Sequence, residues 1–200
     1  MITIIDYGVG NLGSIRNMLH RISISSQVSK DPHVVAEAER IILPGIGAFD
    51  WAMSKLLETE LPDILRERAA KGCPILGICL GAQLLTNKSE EGILPGLGLL
   101  AASCIKFNTL KISPLKVPHM GWNEVAIEPG HPIGEFHNLE ESASILFRPF
   151  VSYGCGQKTC FGIDSIRKFF CFHFARSKCI GNSVPSREKS SLWDANLKKF

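Results

Sequence analysis

Apolar and polar positions fall into short blocks along the first hundred residues, and the period of those blocks changes from one to the next. Ile2 to Asp6 is an apolar run rich in β-branched residues and predicts a first strand. Gly8, Gly10 and Gly13 punctuate a loop, after which Ile15, Met18, Leu19 and Ile22 recur at helical spacing over Ser14 to Ile22. Gln27 to Ser29 predicts a second strand and Val34 to Glu39 a helix. Arg40 to Leu43 predicts a buried strand stopped by Pro44-Gly45, and Leu61 to Ala70 an amphipathic helix. Pro74 to Ile78 is a further apolar strand, leading through a tight turn into the helix-forming residues Ala82-Gln83-Leu84-Leu85. Strands alternating with helices predict an α/β fold, a parallel sheet with flanking helices and active residues at the strands' carboxyl ends. After Gly98 the pattern turns loop-rich, with strands predicted over Leu99 to Phe107 and Trp122 to Ile127 in a more antiparallel region. Beyond Ser144 neither a period of two nor one of 3.6 is sustained.

Composition narrows the function classes. The 200 residues suit one domain with a substantial core, and 45% hydrophobic with 20% charged residues is ordinary for a globular protein. A net charge of +3 argues against nucleic acid or an anionic membrane as partner. No apolar run approaches a membrane span, and the start lacks a basic leader, so a cytoplasmic protein is expected. Of seven cysteines, Cys155, Cys160, Cys171 and Cys179 crowd the last quarter, but no C-x-x-C pair exists, and neither metal nor cofactor is expected. Gly8-x-Gly10-x-x-Gly13 fits a dinucleotide fingerprint as a bare pattern, but no acidic residue follows a second strand to hold a ribose. A tight glycine turn is the better reading.

The chemistry concentrates at Gly77-Ile78-Cys79-Leu80-Gly81. A cysteine at the apex of a strand–turn–helix, with glycine two positions to either side, has the form of a nucleophile elbow. A helix N-terminus also favours the thiolate. The competing reading is a buried cysteine in an ordinary turn. Pro44-Gly45-Ile46-Gly47 ends the third strand, where its backbone N–H groups would lie near the elbow and could stabilise an oxyanion.

Together these segments resemble the class I (triad) glutamine amidotransferases, whose fold is a flavodoxin-like sheet. More narrowly, they resemble the glutaminase subunits of imidazole glycerol phosphate synthases. The resemblance covers about residues 1 to 143. It rests on Asp6 to Asn11, Leu43 to Phe49, the elbow with Gln83-Leu84-Leu85, Ser89 to Gly92, and Val117-Pro118-His119-Met120-Gly121-Trp122-Asn123. It implies glutamine hydrolysis, with ammonia passed to a (β/α)₈-barrel cyclase subunit as heterodimer partner, in histidine biosynthesis. Cys79 would be the nucleophile, Gly45, Ile46 and Gly47 would line the oxyanion hole, and Gln83 and Glu91 would hold glutamine. Asn11 and Trp122 would face the cyclase, and His119, in an interface motif, has no catalytic role.

The family pattern then calls for a late strand ending in Q-F-H-P-E-K-S-H, supplying the base and its orienting acid, and residues 144 to 200 contain no His-Pro-Glu. His173 is the only histidine there and has no acid nearby. Back-translation of Gly181 to Leu192, read one nucleotide later, permits G-T-Q-F-H-P-E-K-S-H-L, and continuing to Phe200 permits Y-G-M-Q-I-L-K-N-F. The same shift over Ser144 to Gly154 permits R-F-Y-F-V-H-S-Y-H-M, another family segment. The expected organisation is an incomplete amidotransferase domain over 1 to 143 and an out-of-frame, aberrant tail over 144 to 200. The chain as written is expected to be inactive. Two alternatives stay open: a DJ-1-like hydrolase with an elbow cysteine, and a non-catalytic subunit that still binds the synthase.

Overall fold

The computed structural model describes residues 1–106, 121–126, 142–147, 151–154 and 169–172. Its centre is a parallel sheet. β1 (Ile2–Ile5), buried at every position, lies between β2 (Ser26–Ser29) and β3 (Arg40–Leu43). β4 (Ile75–Ile78) pairs with β3, and β10 (Phe169–Phe172) closes the far edge. The order is β10-β4-β3-β1-β2 and every pairing is parallel. Near-continuous apolar runs such as Ile4-Ile5 and Ile41-Ile42-Leu43 are what strands covered on both faces require.

The helices follow from local chemistry. α1 (Leu12–Arg21) starts where the Asn11 side chain accepts from the Ser14 N–H. α2 (Pro32–Ala36) starts earlier than the apolar spacing predicts, because Asp31 caps it and Pro32 sits at the first helical position. α3 (Phe49–Leu57) is not foreseen from the sequence; it buries Phe49, Ala52, Met53 and Leu56 against the core. α4 (Leu61–Ala70) buries Leu61, Leu65 and Ala69, as its spacing predicts, and α5 (Leu80–Leu84) leaves the elbow.

The short β5 (Lys88–Ser89), β6 (Ser103–Lys106) and β9 (Val151–Gly154) form a second sheet, with β6 and β9 antiparallel. β6 is shorter than the predicted Leu99 to Phe107. The N–H groups of Leu99 and Leu100 both bond the Leu85 carbonyl, which keeps those residues out of the ladder. These elements, with the central sheet, make one compact unit, while β7 (Gly121–Ala126) and β8 (Ser142–Phe147) belong to another and pair antiparallel. Three strands thus include or follow Ser144, where the sequence has no sustained period. Among the described residues no helix is long and apolar enough to cross a membrane.

Candidate active site

The elbow has the predicted form. Cys79 sits between β4 and α5 with φ 55° and ψ −118°, and its side is exposed. Only one other non-glycine among the described residues, Ser23, has positive φ. Such a conformation costs on the order of 1–3 kcal/mol and persists only where the surroundings enforce it. Here the surroundings are backbone. A Cβ on Gly77 would come within 2.5 Å of the Ala82 Cα, and one on Gly81 would overlap the Leu43 carbonyl oxygen. A Cβ on Gly45 would in turn overlap the Gly81 nitrogen. The end of β3 and the start of α5 therefore pack glycine to glycine, bringing the Pro44 to Gly47 turn against the elbow.

That turn is held from beneath. The buried Tyr7 hydroxyl donates to the Pro44 carbonyl at 2.7 Å, and burial pushes the phenol well above its ordinary range, so it remains a donor. A Cβ on Gly10 would lie 2.8 Å from the Pro44 ring. Gly10, with φ +126°, thus serves a tight turn against Pro44. Ile46 is half exposed and Gly47 has φ +82°; among the described residues neither N–H donates to a backbone or side-chain acceptor. Two backbone donors beside an exposed cysteine are what an oxyanion needs.

Gln83 lies one helical turn beyond Cys79 and is buried; its Oε1 accepts from the Ser89 hydroxyl at 2.9 Å. The same Ser89 oxygen accepts from the Glu91 N–H at 3.2 Å. One hydroxyl therefore joins the two residues proposed to hold substrate. Sequence reasoning missed Ser89 as a tether, although its place between Gln83 and Glu91 in the motif was visible. Asn11 spends its side-chain oxygen on capping α1, and Trp122 stands in β7 opposite Leu146 in the other unit. His119 and His173 lie outside the described residues. The strand preceding His173 is described, and it ends with Phe172 opposite Ile78.

The glutamine amidotransferase class-I family matches residues 3–148. An imidazole glycerol phosphate synthase subunit HisH of Methanococcus maripaludis is 46% identical over 149 residues, covering 74% of this chain and 71% of the relative. The chain belongs to the HisH family of class-I glutamine amidotransferases. A HisH subunit of Sulfurimonas denitrificans is 39% identical over 196 residues, 95% of this chain and 91% of its own. A crystallised glutamine amidotransferase matches with TM-score 0.59 at 18% identity, over 78% of this chain and 76% of that one, and shares the fold.

The elbow of this HisH-family chain carries a direct prediction. Cys73 is buried, its Sγ donating to the Ala38 and Glu39 carbonyls at 3.4 Å, and burial raises its pKa against a smaller opposing pull from Arg68. Cys104 is also buried. Among these three, an electrophile is expected to modify Cys79 at least ~10-fold faster, because access and thiolate fraction set the rate. Peptide mapping after brief alkylation of the folded chain checks this; equal labelling of Cys73 or Cys104 would remove the elbow assignment.

Proposed function

We propose that the chain is built to hydrolyse glutamine and deliver ammonia to the cyclase subunit of imidazole glycerol phosphate synthase in histidine biosynthesis. The observation that carries this reading is the exposed Cys79, held at positive φ against a turn whose Ile46 and Gly47 N–H groups have no acceptor among the described residues. In the proposed reaction the Cys79 thiolate attacks the side-chain amide carbon. The resulting oxyanion is stabilised by the N–H groups of the Gly45 to Gly47 turn, ammonia leaves, and water releases glutamate from the thioester. Gln83 and Glu91 hold the substrate.

The partner is a (β/α)₈-barrel cyclase, and the setting is the cytoplasm. Asn11 and Trp122 face the partner, and a buried interface tryptophan commonly contributes 2 kcal/mol or more. Trp122→Ala is therefore expected to weaken the complex about 30-fold in a titration of one subunit against the other. Unchanged affinity would remove Trp122 from the interface.

The tail decides whether the chemistry runs. In the first reading the triad's base and acid are lost with the family's His-Pro-Glu, which residues 144 to 200 do not contain and which a shift of one nucleotide from about Ser144 supplies. The family match ending at residue 148 supports that reading. A second reading has its own support. β10 runs parallel to β4 and ends opposite Ile78, one residue before the nucleophile, and the next residue in sequence is His173. The alignment with the Sulfurimonas subunit also continues over 196 residues. In that reading His173 is the base and the chain is active as written. Partner-dependent glutamate release from the unshifted chain, lost in both Cys79→Ala and His173→Asn, would establish the second reading and end the first.

A further inference from the structure

Asp50 stands in the first turn of α3, directly after the turn proposed to stabilise the oxyanion. Its carboxylate does not face solvent alone. Oδ1 and Oδ2 accept from the Ile93 N–H at 2.9 and 3.0 Å, and Oδ1 also accepts from the Leu94 N–H at 3.0 Å. The turn so gripped carries Glu91. Gly92 makes room for the grip: a Cβ there would overlap Asp50 Oδ1 and lie 2.8 Å from the Phe49 ring. On its other side the same turn is tied by Ser89, whose hydroxyl also holds Gln83. Glu91 is thus fixed between two anchors, one leading to the helix after Cys79 and the other to the helix after Gly45 to Gly47.

We propose that Asp50 is a positioning residue for glutamine, holding the Glu91 turn in register with the oxyanion turn. The proposal rests on the glutaminase reading and deepens it. A carboxylate suits the place because its two oxygens can take adjacent backbone N–H groups, and because negative charge in the first helical turn is favoured. Removing it frees the Glu91 turn without touching Cys79. A displacement of that order at a substrate-holding group weakens ground-state binding more than it changes the nucleophile.

The test is alkylation of Cys79 by two reagents, a chloroketone carrying the glutamine backbone and iodoacetamide, in the full chain. For Asp50→Ala the half-saturating chloroketone concentration is expected to rise about 10-fold. The limiting rate and the iodoacetamide rate should stay unchanged. Asp50→Asn, which keeps one acceptor oxygen, is expected to recover part of the affinity. Equal slowing with both reagents, or an unchanged half-saturation in both variants, would overturn the proposal. A wild-type chain that iodoacetamide labels at Cys79 but the chloroketone does not saturate would instead remove the glutamine site itself, and the proposal with it.

Discussion

Expressed as its sequence stands and supplied with a cyclase partner, the chain is expected to release glutamate about 10⁴-fold more slowly than a version read one nucleotide later from Ser144. The expectation follows from the sequence of residues 144 to 200, in which no His-Pro-Glu is written. Backbone donors can stabilise an oxyanion, but they cannot take the thiol proton or return one to departing ammonia. Removing such groups leaves only the residual rate that orientation and oxyanion donors provide. In the frame-shift account residues 144 to 200 as written also lack the family's closing sequence, so the unshifted chain is expected to aggregate more readily. Both versions are to be expressed, purified and assayed for partner-dependent glutamate. Robust turnover by the unshifted chain would overturn the frame-shift account, and His173 would be the first base to test.

The second large effect is expected at Gly81. A valine there would drive its Cβ into the Leu43 carbonyl oxygen and crowd the Pro44 backbone, and neither can move as a side-chain tip can. Relief requires the β3 turn to separate from α5, which pulls the proposed oxyanion donors away from Cys79. Overpacking against backbone costs about 3 kcal/mol or more. For a chain of this size that corresponds to a fall in Tm on the order of 10 °C. Glutamine hydrolysis in the frame-restored complex should drop by about 10²-fold or more, the scale set by misplacing a reacting group by an ångström. Leu57→Val, on the exposed side of α3, serves as the control for a tolerated change. Gly81→Val with normal Tm and turnover would mean that the glycine packing does not set the site.

Periodic segments with strong boundaries were legible in the sequence. β3 and α4 occupy the predicted residues, because Pro44 ends one and Pro62 with a run of helix formers opens the other. α3 escaped notice although Phe49, Ala52, Met53 and Leu56 have helical spacing. Its first residue follows Ala48, which offers no side-chain cap, so no start signal marks it. β10 is a short apolar run whose period cannot separate strand from helix, and only its pairing with β4 decides it. Within the site, the elbow and the β3 turn were readable as local patterns. The Asp50 grip on Ile93 spans 43 positions and the Tyr7 bond to Pro44 spans 37, and no local pattern announces either.

The strand order has a consequence for the making of the protein. During synthesis β1 to β4 emerge together, but the neighbour on the open side of β4 emerges only with Phe169 to Phe172. Until then the strand that leads into Cys79 presents an unpaired, almost wholly apolar edge, Ile75-Leu76-Gly77-Ile78, for the length of chain that separates the two. Such an edge is a template for pairing with another chain, and non-local parallel pairing is slow to satisfy. Ribosome pausing or truncation between residues 106 and 169 would therefore expose the most chemically committed part of the molecule for longest. Whatever sequence occupies the β10 position, in either reading frame, acts as the seal on that edge before it can act in catalysis.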